Sequence, residues 1–358
     1  MSDNTIGVLF KVTTWGESHG PAMGAVVDGC PPGIELAERD IQGALDRRRP
    51  GRGDASSPRQ EADAVEILSG VFEGRTTGTP ISLLIRNTDA REGDYDALRE
   101  IFRPGHGDFP YFHKYGVRDH RGGGRASGRE TAARVAAGAV AAKVVAVAGI
   151  RVTAYTKALG GVAVDASSCA ADGIDGEAIR GNELFCPDPA ATAAMLEKLR
   201  EAASNGDSLG GVVEIIVRGC PPGLGAPVFD KLDADLACSL MSIGAVKGVE
   251  IGAGFGMAHM RGSESNDAIG PEGFLSNAAG GILAGISTGQ DIVMRVACKP
   301  IASIARDQQT VDTSGRPVTL RIKGRHDVSV IPRIVPVCEA MVNIVMADHW
   351  LRQKAVRG

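Results

Sequence analysis

The sequence predicts an α+β fold with antiparallel sheets, arranged as two pseudo-symmetric halves. Strand-like and helix-like runs do not alternate strictly, as a doubly wound parallel sheet would need. Most apolar runs are β-branched and stop at glycine turns, the pattern of hairpins. Two markers also recur in the same order. The segment 25–33, ending Gly29-Cys30-Pro31-Pro32-Gly33, returns as 214–223, ending Gly219-Cys220-Pro221-Pro222-Gly223. Ile67-Leu68-Ser69-Gly70, leading into 79–85, finds a counterpart in Ile282-Leu283-Ala284-Gly285, leading into 291–296. Either marker alone is weak; the shared order carries the reading. It predicts one domain over 1–358, with related halves at about 7–150 and 205–353. A ligand site between such halves is expected, because pockets favour such junctions.

In chain order, 25–28 reads as a strand running into a Pro-Pro-Gly turn, and Glu38-Arg39-Asp40 as an acidic helix start. The Ala/Val-rich stretch 129–147 is apolar on all sides and predicts a buried helix. A helix over 189–203 opens on Pro189 and stops at Asn205-Gly206. Strands follow at 211–218, 248–256 and 319–322, with a second acidic helix start at 230–233 between the first two. The amphipathic stretch 335–354 predicts the last helix.

Composition narrows the function. Aromatics make up 4% of the chain, too few for stacking platforms on single-stranded nucleic acid, and the net charge of −4 argues against a polyanion-binding module. Seven scattered cysteines without a CxxC pair suggest reduced thiols. No apolar segment follows Met1-Ser2-Asp3-Asn4, and the apolar stretch 135–150 is broken by Lys143 and shorter than a membrane span. A cytoplasmic protein without nucleic-acid or membrane partners is expected.

Against that acidic background, positive charge gathers in one loop. Arg103, His106, His113, Lys114, Arg118, His120, Arg121, Arg125 and Arg129 surround Gly122-Gly123-Gly124. Glycines let backbone N–H groups approach an anion while arginines bind its oxygens, so phosphate or carboxylate binding is one reading; a solvated basic loop is the other. Arg47-Arg48-Arg49-Pro50-Gly51-Arg52 is a second basic element open to the same two readings. His19, in Gly16-Glu17-Ser18-His19-Gly20, is either a ligand-facing imidazole or a turn residue. No Walker A, HExxH or Rossmann fingerprint is present.

Taken in order, GESHG, RRRPG, RPGH, KYG-RD-RGGGR--RET, AVKGVE, RGS--ND, SN-AGGIL-GIS, KP--SI and GRHD resemble the chorismate synthase family, from Gly7 to about Gln353. The resemblance implies a β-α-β sandwich, a homotetramer, and a carbon–oxygen lyase acting on phosphates. It implies 1,4-anti elimination of phosphate from 5-enolpyruvylshikimate 3-phosphate to chorismate, the last common step of the shikimate pathway to aromatic amino acids. Reduced FMN (FMNH2) would be the cofactor, with NADPH a possible reductant. A substrate with one phosphate and two carboxylates, beside a flavin phosphate, fits a dense arginine shell.

The resemblance also assigns residues. His19 would protonate the departing phosphate, His106 would manage charge near the flavin ring, and Asp327 would assist the base that removes the ring proton. Arg48, Arg103 and Arg129 would hold substrate anions, and Arg48 would also meet NADPH. The flavin shell would comprise Arg125, Ala126, Ser127, Gly244, Ala245, Ala284, Lys299, Pro300, Ile301, Ala302, Ser303 and Arg325. Departures fall mainly there: the family usually has Ser at Ala126, Ala at Gly128, Asn at Gly244, Gly at Ala284, Thr-Ser at Ile301-Ala302 and Pro at Val328. Asp54 stands where the family has an arginine that would contact NADPH, although Arg52 lies two residues away, and this favours an external reductant. These replacements leave a second reading open, a paralogue performing a reduced-flavin elimination on a related phosphorylated or enolpyruvyl acid.

Overall fold

A computed structural model describes residues 4–49, 62–88, 98–165, 176–322 and 327–357. Two five-stranded antiparallel sheets form its outer layers. The first runs in the order Thr5–Ile6, Lys11–Gly16, Ala22–Asp28, Ile81–Arg86, Val65–Ile67. The second runs Val162–Ala163, Arg151–Leu159, Gly211–Arg218, Ile292–Cys298, Val246–Ile251. From Lys11–Gly16 in one and Arg151–Leu159 in the other, the order is the same: first, second, fourth and third strand. Alternation fixes which face turns inward. Ile81, Leu83 and Ile85 are fully buried, while the residues between them are partly exposed.

Between the sheets lie two layers of helix. Glu38–Arg48 and Thr131–Ala146 pack on the first sheet; Leu232–Met241 and Ile331–Arg357 pack on the second. Thr131–Ala146 lies against Ile331–Arg357, which explains why it is apolar all round: it has a sheet on one side and a helix on the other. Gly138 sits at their crossing, where a methyl would come within 2.3 Å of Ala340 Cβ. Ile331–Arg357 begins four residues before the expected 335. Pro332 obscures that start in the sequence, yet a first-turn proline loses no intrahelical bond. This helix is long and apolar enough to cross a membrane, but its apolar stretch is largely buried inside the fold.

The two halves match at the level of single hydrogen bonds. Thr76 Oγ1 donates to the Pro31 carbonyl (2.6 Å) and accepts from Ile34 N–H (3.0 Å). Ser287 Oγ donates to the Pro221 carbonyl (2.7 Å) and accepts from Leu224 N–H (2.9 Å). Cys30 and Cys220 are buried beside these turns, and burial pushes each thiol up to about 11. One expected correspondence is corrected. The hairpin Ile282–Leu283/Ile286–Ser287 has Val71–Phe72/Arg75–Thr76 as its counterpart, not 67–70. Thr77 N–H donates to the Gly70 carbonyl as Thr288 N–H donates to that of Gly281. The Ile-Leu-x-Gly pattern misled because both stretches are short and apolar.

The ends of the chain are joined. Asp348, on the last helix, accepts from the backbone N–H groups of Val8, Leu9 and Phe10 at 2.9, 2.6 and 2.9 Å. Beside it, His349 contacts Asp235 at 2.8 Å, and burial holds the imidazole below 6.5.

Candidate active site

Strand Lys11–Gly16 ends in a turn, Glu17-Ser18-His19-Gly20, closed by Gly20 N–H donating to the Glu17 carbonyl at 3.1 Å. Both ends of the turn are held by one amide: Asn87 Nδ2 donates to the carbonyls of Glu17 (3.0 Å) and Gly20 (2.7 Å). The His19 ring lies on the glycine triplet, where a methyl at Gly122 would come 2.8 Å from His19 Nε2. The basic loop and the GESHG turn are therefore one site. Gly122, at φ +152°, is the residue that allows the contact.

The arginines around this turn are organised by buried carboxylates that the sequence reading missed. Asp63, with its side chain fully buried, accepts from Arg48 Nη2 at 2.8 Å and from Arg129 Nη1. Arg48 also donates to Thr131 Oγ1 (3.2 Å) and the Gly128 carbonyl (3.3 Å), and Arg129 Nε to Asn87 Oδ1 (3.1 Å). A second group repeats the design. Asp108 accepts from Arg103 Nε (2.7 Å) and Nη2 (2.8 Å) and pairs with Arg118 at 2.9 Å. Burial alone would raise both aspartates; the flanking guanidiniums outweigh it and hold each below the usual carboxylate range. In each group two guanidiniums share one carboxylate. Arg103 Nη2 reaches the Gly122 carbonyl at 3.3 Å, so the second group adjoins the His19 turn.

On the other side of Arg103 stands His106. Its Nδ1 lies 3.0 Å from the Pro104 carbonyl and its Nε2 2.9 Å from Ser303 Oγ. Burial, then the charge of Arg103, hold it below 6.5, so the ring is neutral at pH 7: Nδ1–H donates to Pro104 and Nε2 accepts from Ser303. Lys299 Nζ donates to the Gly105 carbonyl at 3.0 Å, and burial and neighbouring Lys247 lower its pKa. Lys299 N–H donates to the Ala245 carbonyl at 2.9 Å, which brings the Gly244-Ala245 turn to the same place. The Ala302 methyl touches Gly105, and Ala126 packs near Gly107. Ser208 Oγ donates to the Ile301 carbonyl (2.6 Å), and Pro300 packs against Gly210, fixing the strand exit. Ser127 Oγ accepts from Arg129 N–H (3.3 Å) at the turn feeding helix Thr131–Ala146. Arg125 donates to Thr14 Oγ1 (2.7 Å), the Gly16 carbonyl (3.2 Å) and Asn4 Oδ1 (3.0 Å). Asp327, just before the last helix, meets Arg333 Nε at 3.1 Å.

Two expected placements differ. Ala284 lies in the hairpin beside the Pro221 turn, while Lys299 follows Cys298 at the opposite end of strand Ile292–Cys298. That strand separates them by about 20 Å, so one chain does not bring Ala284 to the cluster. Arg48 is only 2% exposed and offers no open face to a dinucleotide such as NADPH. Arg325, with Arg52 and Asp54, lies outside the described residues. Asp63, Asp108, Asn87 and Arg333 were missed; the one available signal was that buried arginines require buried carboxylates.

The family model for chorismate synthase matches residues 10–351. The chain is 69% identical to the chorismate synthase of Syntrophus aciditrophicus (strain SB), over 99% of each chain. It is 64% identical to that of Syntrophobacter fumaroxidans (strain DSM 10017 / MPOB), again over 99% of each. A crystal structure of chorismate synthase superposes with a TM-score of 0.76 at 34% identity, covering 97% of this chain and 93% of that one. With the two-halved sandwich and its arginine-lined histidine turn, these matches show that the chain belongs to the chorismate synthase family.

Proposed function

We propose that the chain eliminates phosphate from 5-enolpyruvylshikimate 3-phosphate in the 1,4-anti sense, giving chorismate, with reduced FMN as cofactor. The observation that carries this reading is the His19 ring on Gly122, beside two groups in which a pair of arginines shares one buried aspartate. Arg129 and Arg103 supply the attraction for substrate anions, with Arg48 and Arg118 sharing their aspartates. A phosphate dianion at the turn favours the protonated imidazole, so His19 delivers a proton to the leaving oxygen as the C–O bond breaks. Asp327, steadied by Arg333, offers the carboxylate toward which the ring proton moves.

The residues around His106 fit a flavin phosphate and ring. Arg125 and Lys299 are cations whose described hydrogen-bond partners are all uncharged, and Gly244 faces open space. Arg125, Ser127, Lys299 and Ser303 would hold the cofactor, and neutral His106 would present an uncharged edge to it. Reduced FMN, when bound, supplies transient electron density for a reaction with no net redox change. We take the reductant to be external and the assembly to be a homotetramer, in keeping with exposed Phe229, Phe255, Ile269 and Leu275.

Purified protein given reduced FMN anaerobically should convert 5-enolpyruvylshikimate 3-phosphate to chorismate and phosphate, while oxidised FMN supports no turnover. Flavin binding without chorismate formation under anaerobic reduction would overturn the proposal.

A further inference from the structure

Asn87 has no role in the mechanism above, yet its side chain is fully committed to the site. It follows strand Ile81–Arg86, and its backbone N–H continues the ladder to the Pro21 carbonyl at 3.1 Å. An amide offers two donors and one acceptor oxygen. Both donors go to carbonyls bracketing His19, those of Glu17 and Gly20, and the oxygen takes Arg129 Nε at 3.1 Å. One side chain thus ties the turn that carries the acid to an arginine of the anion group. The turn is also closed by one internal hydrogen bond, and its ring rests on Gly122.

We infer that Asn87 is a positioning residue, fixing the His19 turn relative to the Arg129–Asp63–Arg48 group so that the proton donor meets the oxygen of a phosphate bound there. The inference rests on the assignment of His19 as the acid. The amide polarity is what makes the device specific. A carboxylate at position 87 would still accept from Arg129 but could only repel the two carbonyls, releasing the turn while keeping the arginine.

Asn87→Asp separates those functions without changing size. Turnover under anaerobic reduction should fall on the order of 10–100-fold, the cost of misplacing a reacting group by about 1 Å, and the carboxylate added on Arg129 should raise KM as well. The same loss should vanish in a His19→Ala background, where no imidazole remains to be misplaced. Asn87→Ser, which keeps one donor in a smaller volume, should show the same direction if the aspartate variant does not fold. An equal fractional loss with and without His19 would overturn the inference, as would a raised KM at unchanged turnover. Wild-type turnover in His19→Ala alone would instead remove His19 as the acid, and the inference with it.

Discussion

At the scale of single residues, the site is governed by partners that carry no motif. The sequence made the cations legible, because Arg48, Arg103, Arg129 and His19 stand in glycine-rich surroundings. It did not show that two buried aspartates already neutralise part of that charge, since Asp63 and Asp108 acquire meaning only when the fold brings distant arginines to them. Asn87 was hidden for the same reason: an Asn after a strand reads as a turn residue. Asp63→Asn would take from two buried guanidiniums the carboxylate they share and should destabilise the protein by about 3–5 kcal/mol in urea unfolding. Adding Arg48→Met should recover part of the loss. An unchanged midpoint in Asp63→Asn would mean that water, not Asp63, compensates these arginines.

At the scale of elements, helix and strand identities were legible because their periodicities are strong: strand Gly211–Arg218 and helix Pro189–Ser204 fall where the pattern puts them. Short hairpins were not, and there the two halves share a local strain. Glu73 and Ala284 occupy matching turn positions at φ +49° and +51°, a left-handed conformation that costs a non-glycine residue about 1–2 kcal/mol. Ala284→Gly should therefore stabilise the protein, by up to about 1 kcal/mol once the extra freedom of glycine in the unfolded chain is subtracted. Chemical denaturation checks this; a lower midpoint would show that the Ala284 methyl contributes packing that outweighs the strain.

At the scale of the whole molecule, buried titratable groups set a window of stability. Burial lowers the pKa of His106 and His349 from 6.5, so below that pH the unfolded chain takes up protons that the folded one refuses, and stability falls as pH drops. Burial raises Cys30 and Cys220 to about 11 and Cys298 to about 12, from 9.0. Above that ordinary value the unfolded thiols lose protons that the folded ones keep, so stability falls again as pH rises. Thermal melts should show Tm highest between about pH 6.5 and 9 and declining on both sides. A Tm still rising above pH 9 would contradict the burial of these thiols. The apolar surroundings of Cys30 and Cys220 in the sequence suggested packing, but the depth of burial that shifts these thiols depends on the fold.

The three hydrogen bonds from Val8, Leu9 and Phe10 to Asp348 also set an order on biosynthesis. Their carboxylate is translated roughly 20–70 s after them, at 5–20 residues per second. Until it leaves the ribosome, the nascent N-terminal sheet lacks both this clasp and the helix that covers Thr131–Ala146. A stalled or prematurely terminated chain therefore presents an apolar helix face to the cell, and quality control would meet the first half of this molecule unfinished.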